Sequence, residues 1–171
     1  MQLKIRQETP ADYDEVYRLV KLSFETNHDD DGTVPDYLND LRGKDVFIPE
    51  LSLVAEIGGA LAGQVVLYKT DITTSQGKLT ELLLSPVSVH PGYFRRGIAR
   101  AMVDEALRIA RQLGYKAVFL CGNPEIYSKL GFAPTYSYNI FHKDDATAKW
   151  SMVRELYNDA LDGITGTIDT I

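Results

Sequence analysis

Residues 87–100, VSVHPGYFRRGIAR, contain the feature that decides the fold, because an apolar strand leads there through a glycine into an amphipathic helix. The first amides of a helix have no acceptor within the helix and lie at the positive end of its dipole. Gly97 leaves space for a ligand oxygen where another residue would carry a Cβ, and arginines on both sides add positive charge. We call residues 94–100 the phosphate cradle, since this pattern predicts a phosphate site. An ordinary strand-to-helix connection with solvated arginines is the alternative.

The composition predicts one globular domain without a nucleic-acid or membrane-binding face. The chain has 171 residues, of which 44% are hydrophobic, so it can bury one substantial core. We expect a single domain over residues 1–156 and a weakly structured C-terminal tail over residues 157–171. The formal net charge of −6 argues against binding to nucleic acids or anionic membranes. Neither an N-terminal signal nor an apolar run of about 18 residues is present, so we expect a cytoplasmic protein.

Cysteine and histidine usage excludes two further classes of site. Cys121 is the single cysteine, which excludes an intramolecular disulfide and fits a reducing compartment. It ends the apolar run 118–121, which predicts a packed thiol in a buried strand and argues against a nucleophile. The three histidines, at positions 28, 90 and 142, have no spacing with the cysteine or the acids that indicates a metal site.

Hydrophobic periodicity predicts a mixed succession of strands and helices. Gly58-Gly59 between two apolar runs is a strong hairpin signal. A crossover through the helix after the cradle makes the fourth and fifth strands parallel, and Pro86 predicts a bulge or an end of pairing in the fourth. The predicted strands lie around residues 3–5, 51–57, 60–68, 79–89, 116–121, 136–141 and 150–156, and the predicted helices at 10–26, 36–42, 98–113 and 124–130.

A second motif, YSKLGF at residues 127–132, follows the fifth predicted strand. Together with the cradle it resembles the GNAT superfamily of acyl-CoA-dependent N-acetyltransferases, over roughly residues 3–156. The first family signature is Gln or Arg, two residues, Gly, one residue, then Gly or Ala. Gly97 and Ala99 match it, whereas Phe94 stands where Gln or Arg is usual. The second signature, an aromatic residue followed three residues later by a Leu-Gly-Phe-like turn, matches residues 127–132.

The resemblance extends to residues 122–127 and 150–156, which are similar to a bacterial branch of GNAT enzymes with poorly defined substrates. It implies an α/β fold with a mixed, mostly antiparallel sheet of about six or seven strands. Helices flank this sheet, and its parallel fourth and fifth strands splay apart. Acetyl-CoA is implied to lie in that opening, as co-substrate. The residues implied to bind it are Val87, Ser88, Val89, Phe94, Arg95, Arg96, Gly97, Ile98, Ala99, Arg100, Asn123 and Tyr127.

The resemblance also implies a catalytic acid, Tyr127, which would protonate the departing CoA thiolate while an amine attacks directly in a ternary complex. An ordinary phenol stays protonated at neutral pH. The alternative for Tyr127 is an aromatic packed beside Phe132. Glu81 is the candidate general base: it lies on the same strand face as Leu83, where some family members carry Glu. An edge-facing Glu81 without a role, and an enzyme without a protein base, remain open. For His90 we favour a loop or capping role.

The nature of the acceptor and of any partner is less defined by the residues. The acidic loop at residues 28–32 would attract a cationic amine, and a solvated loop is the alternative. The acceptor is expected to be an amine of a small molecule or a protein, and the resemblance also allows a homodimer. Two rival functions stay open at this point: an acyl-CoA-binding module without turnover, and a nucleotide-phosphate binder.

Overall fold

The computed structural model describes residues 2–25 and 30–170. The strands are β1 (Leu3–Gln7), β2 (Phe47–Ile57), β3 (Ala60–Thr74), β4 (Gly77–Val89), β5 (Ala117–Cys121), β6 (Ala133–Pro134), β7 (Ile140–His142), β8 (Ser151–Glu155) and β9 (Gly166–Ile168). The α-helices are α1 (Tyr13–Phe24), α2 (Val34–Leu41), α3 (Ile98–Gln112) and α4 (Pro124–Tyr127). Short 3-10 turns cover Pro10–Asp12, Pro91–Tyr93, Ser128–Leu130 and Thr135–Tyr138.

The nine strands of the described residues form one mixed sheet. Hydrogen-bonded neighbours follow the order β1-β2-β3-β4-β5-β8-β6, and β9 pairs with both β3 and β7. The β4–β5 pair is parallel, with Leu82 opposite Val118, and β7–β9 is parallel too. The β1–β2, β3–β9, β5–β8 and β6–β8 pairs are antiparallel. The mixed, mostly antiparallel α/β fold is thereby confirmed, with more strands than expected, and the splay of β4 from β5 stays a prediction.

Contacts group the chain into two compact units. The first unit comprises Met1–Leu67 and Ser85–Ile109, and the second comprises Tyr68–Leu84 and Ala110–Ile171. Strands β3 and β4 and helix α3 contribute residues to both. The assignment of residues 1–156 to a single domain stays a prediction of the sequence.

The first unit contains the predicted hairpin, the amphipathic helices α1 and α2, and most of the amphipathic helix α3. Gly58 and Gly59 join β2 to β3 with φ of 60° and 81°, left-handed values that suit a two-residue hairpin turn. Each helix buries an apolar stripe, as its 3.6-residue periodicity predicts. The buried helix residues of this unit include Val16, Leu19, Val20, Leu38, Leu41, Met102, Val103 and Ala106.

Two ionic contacts anchor the segment that contains α1 and α2, one before α1 and one after α2. The Arg6 guanidinium donates two hydrogen bonds of 2.8 Å to the Asp12 carboxylate, which also accepts one from the Thr9 amide at 2.8 Å. The hydrogen bonds from Arg6 are the main reason that the pKa of Asp12 falls to about 2. Further along, the buried Arg42 and Glu8 side chains pair at 2.6 Å, which ties the end of α2 to the residue after β1. The chain around α1 and α2 is thus anchored at both ends.

The C-terminal residues overturn one expectation. Residues 157–170 are not weakly structured, because β9 pairs antiparallel with β3 and parallel with β7. Leu161 and Ile168 belong to the buried core of the second unit, together with Ile72, Leu83, Ala117, Phe119, Ile140 and Val153. The segment is short and carries two glycines, so its local pattern gives no periodic signal, and only its distant partners make it a strand.

We expect Ile168→Ala to lower the free energy of unfolding by about 2–4 kcal/mol, because it removes a side chain that is only 1% exposed and leaves a cavity. Thr167→Ala is the matched control, since Thr167 is exposed on the same strand. Urea unfolding of both variants provides the measurement. Equal midpoints for the two would mean that β9 adds nothing to the core.

Two smaller expectations are also wrong. Residues 136–141 do not form one strand: Thr135–Tyr138 is a 3-10 turn, Asn139 takes φ of 61°, and only Ile140–His142 extends as β7. Cys121 is exposed, because it is the last residue of β5, and its Sγ lies 3.0 Å from Thr170 Oγ1.

Within residues 2–25 and 30–170, no helix is long and apolar enough to cross a membrane.

Candidate functional site

The C-terminal end of strand β4, at Val87–Val89, lies a few residues before the cradle in the chain. Successive side chains of a strand point to opposite faces, and here Val87 and Val89 are half-buried while Ser88 is buried. Gln64 Nε2 donates to Ser88 Oγ at 3.1 Å and to the Pro86 carbonyl at 3.2 Å. These bonds fix the strand end, so the backbone around Val87–Val89 is held in a defined place.

His90 caps the turn that follows β4. Its amide donates to the Ala62 carbonyl at 2.8 Å, and its Nδ1 accepts from the Gly92 amide at 3.0 Å. Because a backbone amide only donates, Nδ1 carries no proton in this arrangement. The capping role expected for His90 is confirmed.

An aromatic and cationic stack continues from His90 into the cradle. The His90 and Tyr93 rings meet edge to face at 5.8 Å, and the Arg96 guanidinium lies 5.4 Å from the Tyr93 ring centroid. Phe94 is 45% exposed beside this stack. Cation–π contact of this kind orients a guanidinium at the surface without neutralising its charge.

The cradle itself combines left-handed backbone with the start of α3. Arg95 has φ of 63° and Gly97 has φ of 77°. The first helical hydrogen bond runs from the Ala101 amide to the Gly97 carbonyl at 3.0 Å, so the helix has no carbonyl to offer the amides of Ile98 and Ala99. Gly97 is exposed, and a Cβ added to it would meet nothing within 4 Å. The cradle is therefore an open, positively polarised surface suited to an anion.

Asn123 and Tyr127 lie at the two ends of α4, in the second unit. Asn123 Oδ1 accepts from the Glu125 amide at 2.9 Å, so this side chain caps the helix. The Tyr127 ring meets the buried Phe132 ring edge to face at 6.0 Å, and burial raises the pKa of its phenol. Among the described residues the Tyr127 hydroxyl has no hydrogen-bond partner. Every fully buried polar side-chain atom of these residues does have a partner, so the hydroxyl oxygen is not fully buried. Its raised pKa keeps this hydroxyl protonated at neutral pH.

Glu81 is neither exposed nor at a sheet edge. It is 3% exposed, and its Oε2 accepts from the Lys116 amide at 2.9 Å and the Ala117 amide at 3.3 Å. Burial raises the pKa of this carboxyl, and the two amide bonds oppose that shift. Leu83, on the same face, belongs to the core of the second unit. The contacts favour a structural function for Glu81 at the start of β5, and a base role stays a prediction.

We expect Glu81→Gln to keep kcat within about threefold of the wild type, because the amide oxygen still accepts from both backbone amides. Glu81→Leu removes that acceptor and should lower the free energy of unfolding by about 1–3 kcal/mol, the cost of buried donors without a partner. Steady-state rates and urea unfolding measure the two effects. A loss of kcat above 100-fold in a folded Glu81→Gln variant would identify Glu81 as the base.

The acidic loop is only partly described. His28 and Asp29 lie outside the described residues. Asp30 Oδ1 accepts from the Gly32 amide at 3.1 Å, and Asp31 Oδ1 accepts from the Thr33 amide at 3.0 Å and the Thr33 hydroxyl at 2.6 Å. The Thr33 hydrogen bonds lower the pKa of Asp31, so both carboxylates stabilise the turn before α2.

The structure places the candidate residues in two groups. Residues 87–89 and 94–100 belong to the first unit, whereas Glu81, Asn123 and Tyr127 belong to the second. The described residues contain no cluster of His, Cys, Asp and Glu that could hold a metal ion. The sequence analysis did not predict the contact between the Tyr93 ring and the Arg96 guanidinium. The available signal was an aromatic residue at position 93 with an arginine at position 96.

Comparisons with known proteins show which family and fold the chain resembles. A family model described as an acetyltransferase (GNAT) domain matches residues 4–135. A curated Escherichia coli K12 protein, the uncharacterized N-acetyltransferase YhbS, is 32% identical over 167 residues, covering 96% of this chain and 94% of that protein. The crystal structure of E. coli YhbS in complex with CoA has a TM-score of 0.85 at 28% identity, covering 100% of this chain and 91% of that one. A Brucella melitensis GNAT acetyltransferase in complex with acetyl-CoA shares the fold, with a TM-score of 0.77 at 21% identity, covering 99% and 96%.

Proposed function

The chain belongs to the GNAT acetyltransferase family, and we propose that it transfers the acetyl group of acetyl-CoA to a primary amine of a small molecule or a protein. The observation that carries this proposal is the open cradle at the start of α3, with left-handed φ at Arg95 and Gly97. The crystal structure of E. coli YhbS holds CoA. Because the present chain is 32% identical to YhbS, that complex supports the use of a CoA thioester here.

In the proposed complex, backbone amides of the cradle bind the pyrophosphate of acetyl-CoA. The guanidinium groups of Arg95 and Arg96 are exposed and add charge-assisted hydrogen bonds at its edge. The main chain of Val87–Val89 binds the pantetheine arm. Phe94 replaces the Gln or Arg of the family signature, so the grip relies on backbone amides and on the neighbouring arginines.

The proposed chemistry is direct attack in a ternary complex. The neutral amine nitrogen attacks the thioester carbonyl carbon, the C–N bond forms, and the C–S bond breaks. The Tyr127 hydroxyl donates its proton to the departing CoA sulfur, and the nitrogen releases its proton to water. The Tyr127 phenolate then regains a proton from water, which completes the cycle. The raised pKa of the phenol keeps the proton on Tyr127 at neutral pH, where it can be donated.

A module that binds acyl-CoA without turnover is the second candidate. Two observations favour it: Phe94 departs from the signature, and the Glu81 carboxylate is already bonded to the Lys116 and Ala117 amides. The Tyr127 hydroxyl, which is not fully buried and has a raised pKa, argues for turnover. A cytoplasmic location remains a prediction of the sequence, and a homodimer remains what the family resemblance allows.

Calorimetry with acetyl-CoA, with ATP and NAD as controls, tests the binding step. We expect micromolar binding of acetyl-CoA alone, whereas no binding, or equal binding of ATP, would overturn the proposal. Thiol release from acetyl-CoA in the presence of a panel of primary amines then tests turnover. Binding without amine-dependent thiol release would favour the second candidate.

A further inference from the structure

Gly122, the residue between β5 and Asn123, lies against the ring of Tyr127. A Cβ added to Gly122 would lie 2.6 Å from Tyr127 Cε2, 2.9 Å from Tyr127 Cδ2 and 3.3 Å from Leu120 Cδ1. The first two distances are shorter than real Cβ contacts, so the ring would have to move by roughly 0.8 Å to reach an ordinary contact of 3.4 Å. The Tyr127 ring therefore occupies the space that a side chain at position 122 would need.

The backbone of Gly122 does not itself require glycine. Its φ lies outside the left-handed region that other glycines of this chain adopt. Its amide donates to the carbonyl of Trp150 at 2.9 Å, which holds it to the residue directly before β8. An alanine at this position would keep the backbone conformation, so its effect would fall on the ring.

A second residue, Phe132, also limits the position of the Tyr127 ring. Phe132, only 3% exposed, meets it edge to face at 6.0 Å. The Phe132 amide donates to the Tyr127 carbonyl at 3.1 Å, and the Tyr127 amide donates to the Asn123 carbonyl at 3.1 Å. The ring therefore lies in a niche, and Gly122 and Phe132 are two of its walls.

We propose that Gly122 is a positioning residue, which sets the place of the Tyr127 hydroxyl by leaving room for its ring. The inference rests on the proposed function, in which that hydroxyl protonates the CoA sulfur. Proton donation needs hydrogen-bond distance and alignment, and a misplacement of about 1 Å is costly for a positioned group. Replacing Gly122 would then slow thiol release by displacing that hydroxyl.

The test is a double-mutant cycle of Gly122→Ala with Tyr127→Phe. We expect Gly122→Ala to lower kcat about tenfold and to change the KM for acetyl-CoA by less than about twofold. In the Tyr127→Phe background the same substitution should change kcat by less than about twofold, because no hydroxyl is left to misplace. Phe132→Leu, which loosens the other wall, should show the same dependence on Tyr127 with a smaller loss.

Gly43→Ala is the matched control, since a Cβ there would meet only the Asp40 carbonyl oxygen, at 3.7 Å, and its kcat should be unchanged. Full activity of Gly122→Ala, or an equal loss in the Tyr127→Phe background, would overturn the inference while the wild type remains an active enzyme. Should Gly122→Ala not fold, the Phe132→Leu cycle decides by the same criterion. A wild type without amine-dependent thiol release would instead overturn the proposed function.

Discussion

Gly97→Asp is expected to raise the Kd for acetyl-CoA at least about 100-fold, a loss of about 2.8 kcal/mol in binding free energy. The new carboxylate would stand at the N-terminus of α3, in the space that is open within 4 Å of Gly97. There it would repel the pyrophosphate and occupy the amides that the ligand needs. The φ of 77° adds strain for any residue with a Cβ. Calorimetry with acetyl-CoA measures the loss.

Gly59→Asp separates this effect from backbone strain. Gly59 has φ of 81°, and a Cβ added there also meets nothing within 4 Å, but it lies in the β2–β3 hairpin. Both variants should show a similar change in melting temperature, and only Gly97→Asp should lose acetyl-CoA. Wild-type affinity in a folded Gly97→Asp variant would remove the cradle from the proposed binding site.

The elements that short-range physics specifies were predictable from the sequence. The Gly58-Gly59 turn, the amphipathic α3 and the parallel β4–β5 pair each follow from a local pattern, and the structure confirms all three. The resemblance to the GNAT family, read from residues 94–99 and 127–132, is confirmed by the family model over residues 4–135. The signature works because a phosphate cradle needs its residues close together in sequence.

Features that depend on distant contacts were not predictable. β9 is stabilised by β3 and β7, of which β3 lies about a hundred residues away in the chain. Glu81 was expected to be a base or an edge residue, but the amides of Lys116 and Ala117, 35 and 36 residues further on, hold its carboxylate. No local pattern reports which backbone amides a strand will bring to a carboxylate.

Gly122 shows the same limit at short range. The sequence has a glycine after an apolar strand, which indicates a turn. The structure shows that space is required there, because the Tyr127 ring occupies the position of its side chain. A glycine that is needed for a turn and a glycine that is needed to leave space for a neighbouring ring look the same in the sequence. Only the structure shows which side chains surround each one.

Tyr127→Phe is expected to lower kcat about 100-fold while the Kd for acetyl-CoA changes by less than about twofold. The substitution keeps the ring, its contact with Phe132 at 6.0 Å and its place beside Gly122. It removes the proton donor alone, and general-acid catalysis contributes about 100-fold or more. Steady-state rates of thiol release and calorimetry with acetyl-CoA provide the two readouts.

The pH profile gives an independent test of Tyr127 as the acid. A phenol with a raised pKa keeps its proton until the pH exceeds the ordinary value of about 10. The wild-type kcat should therefore fall only above that pH, as the donor is lost, and this decline should be absent in Tyr127→Phe. Tyr157→Phe, at an exposed tyrosine of the same unit, is the control and should behave as the wild type. An unchanged kcat in Tyr127→Phe would leave the ring with a packing role and assign proton donation to water.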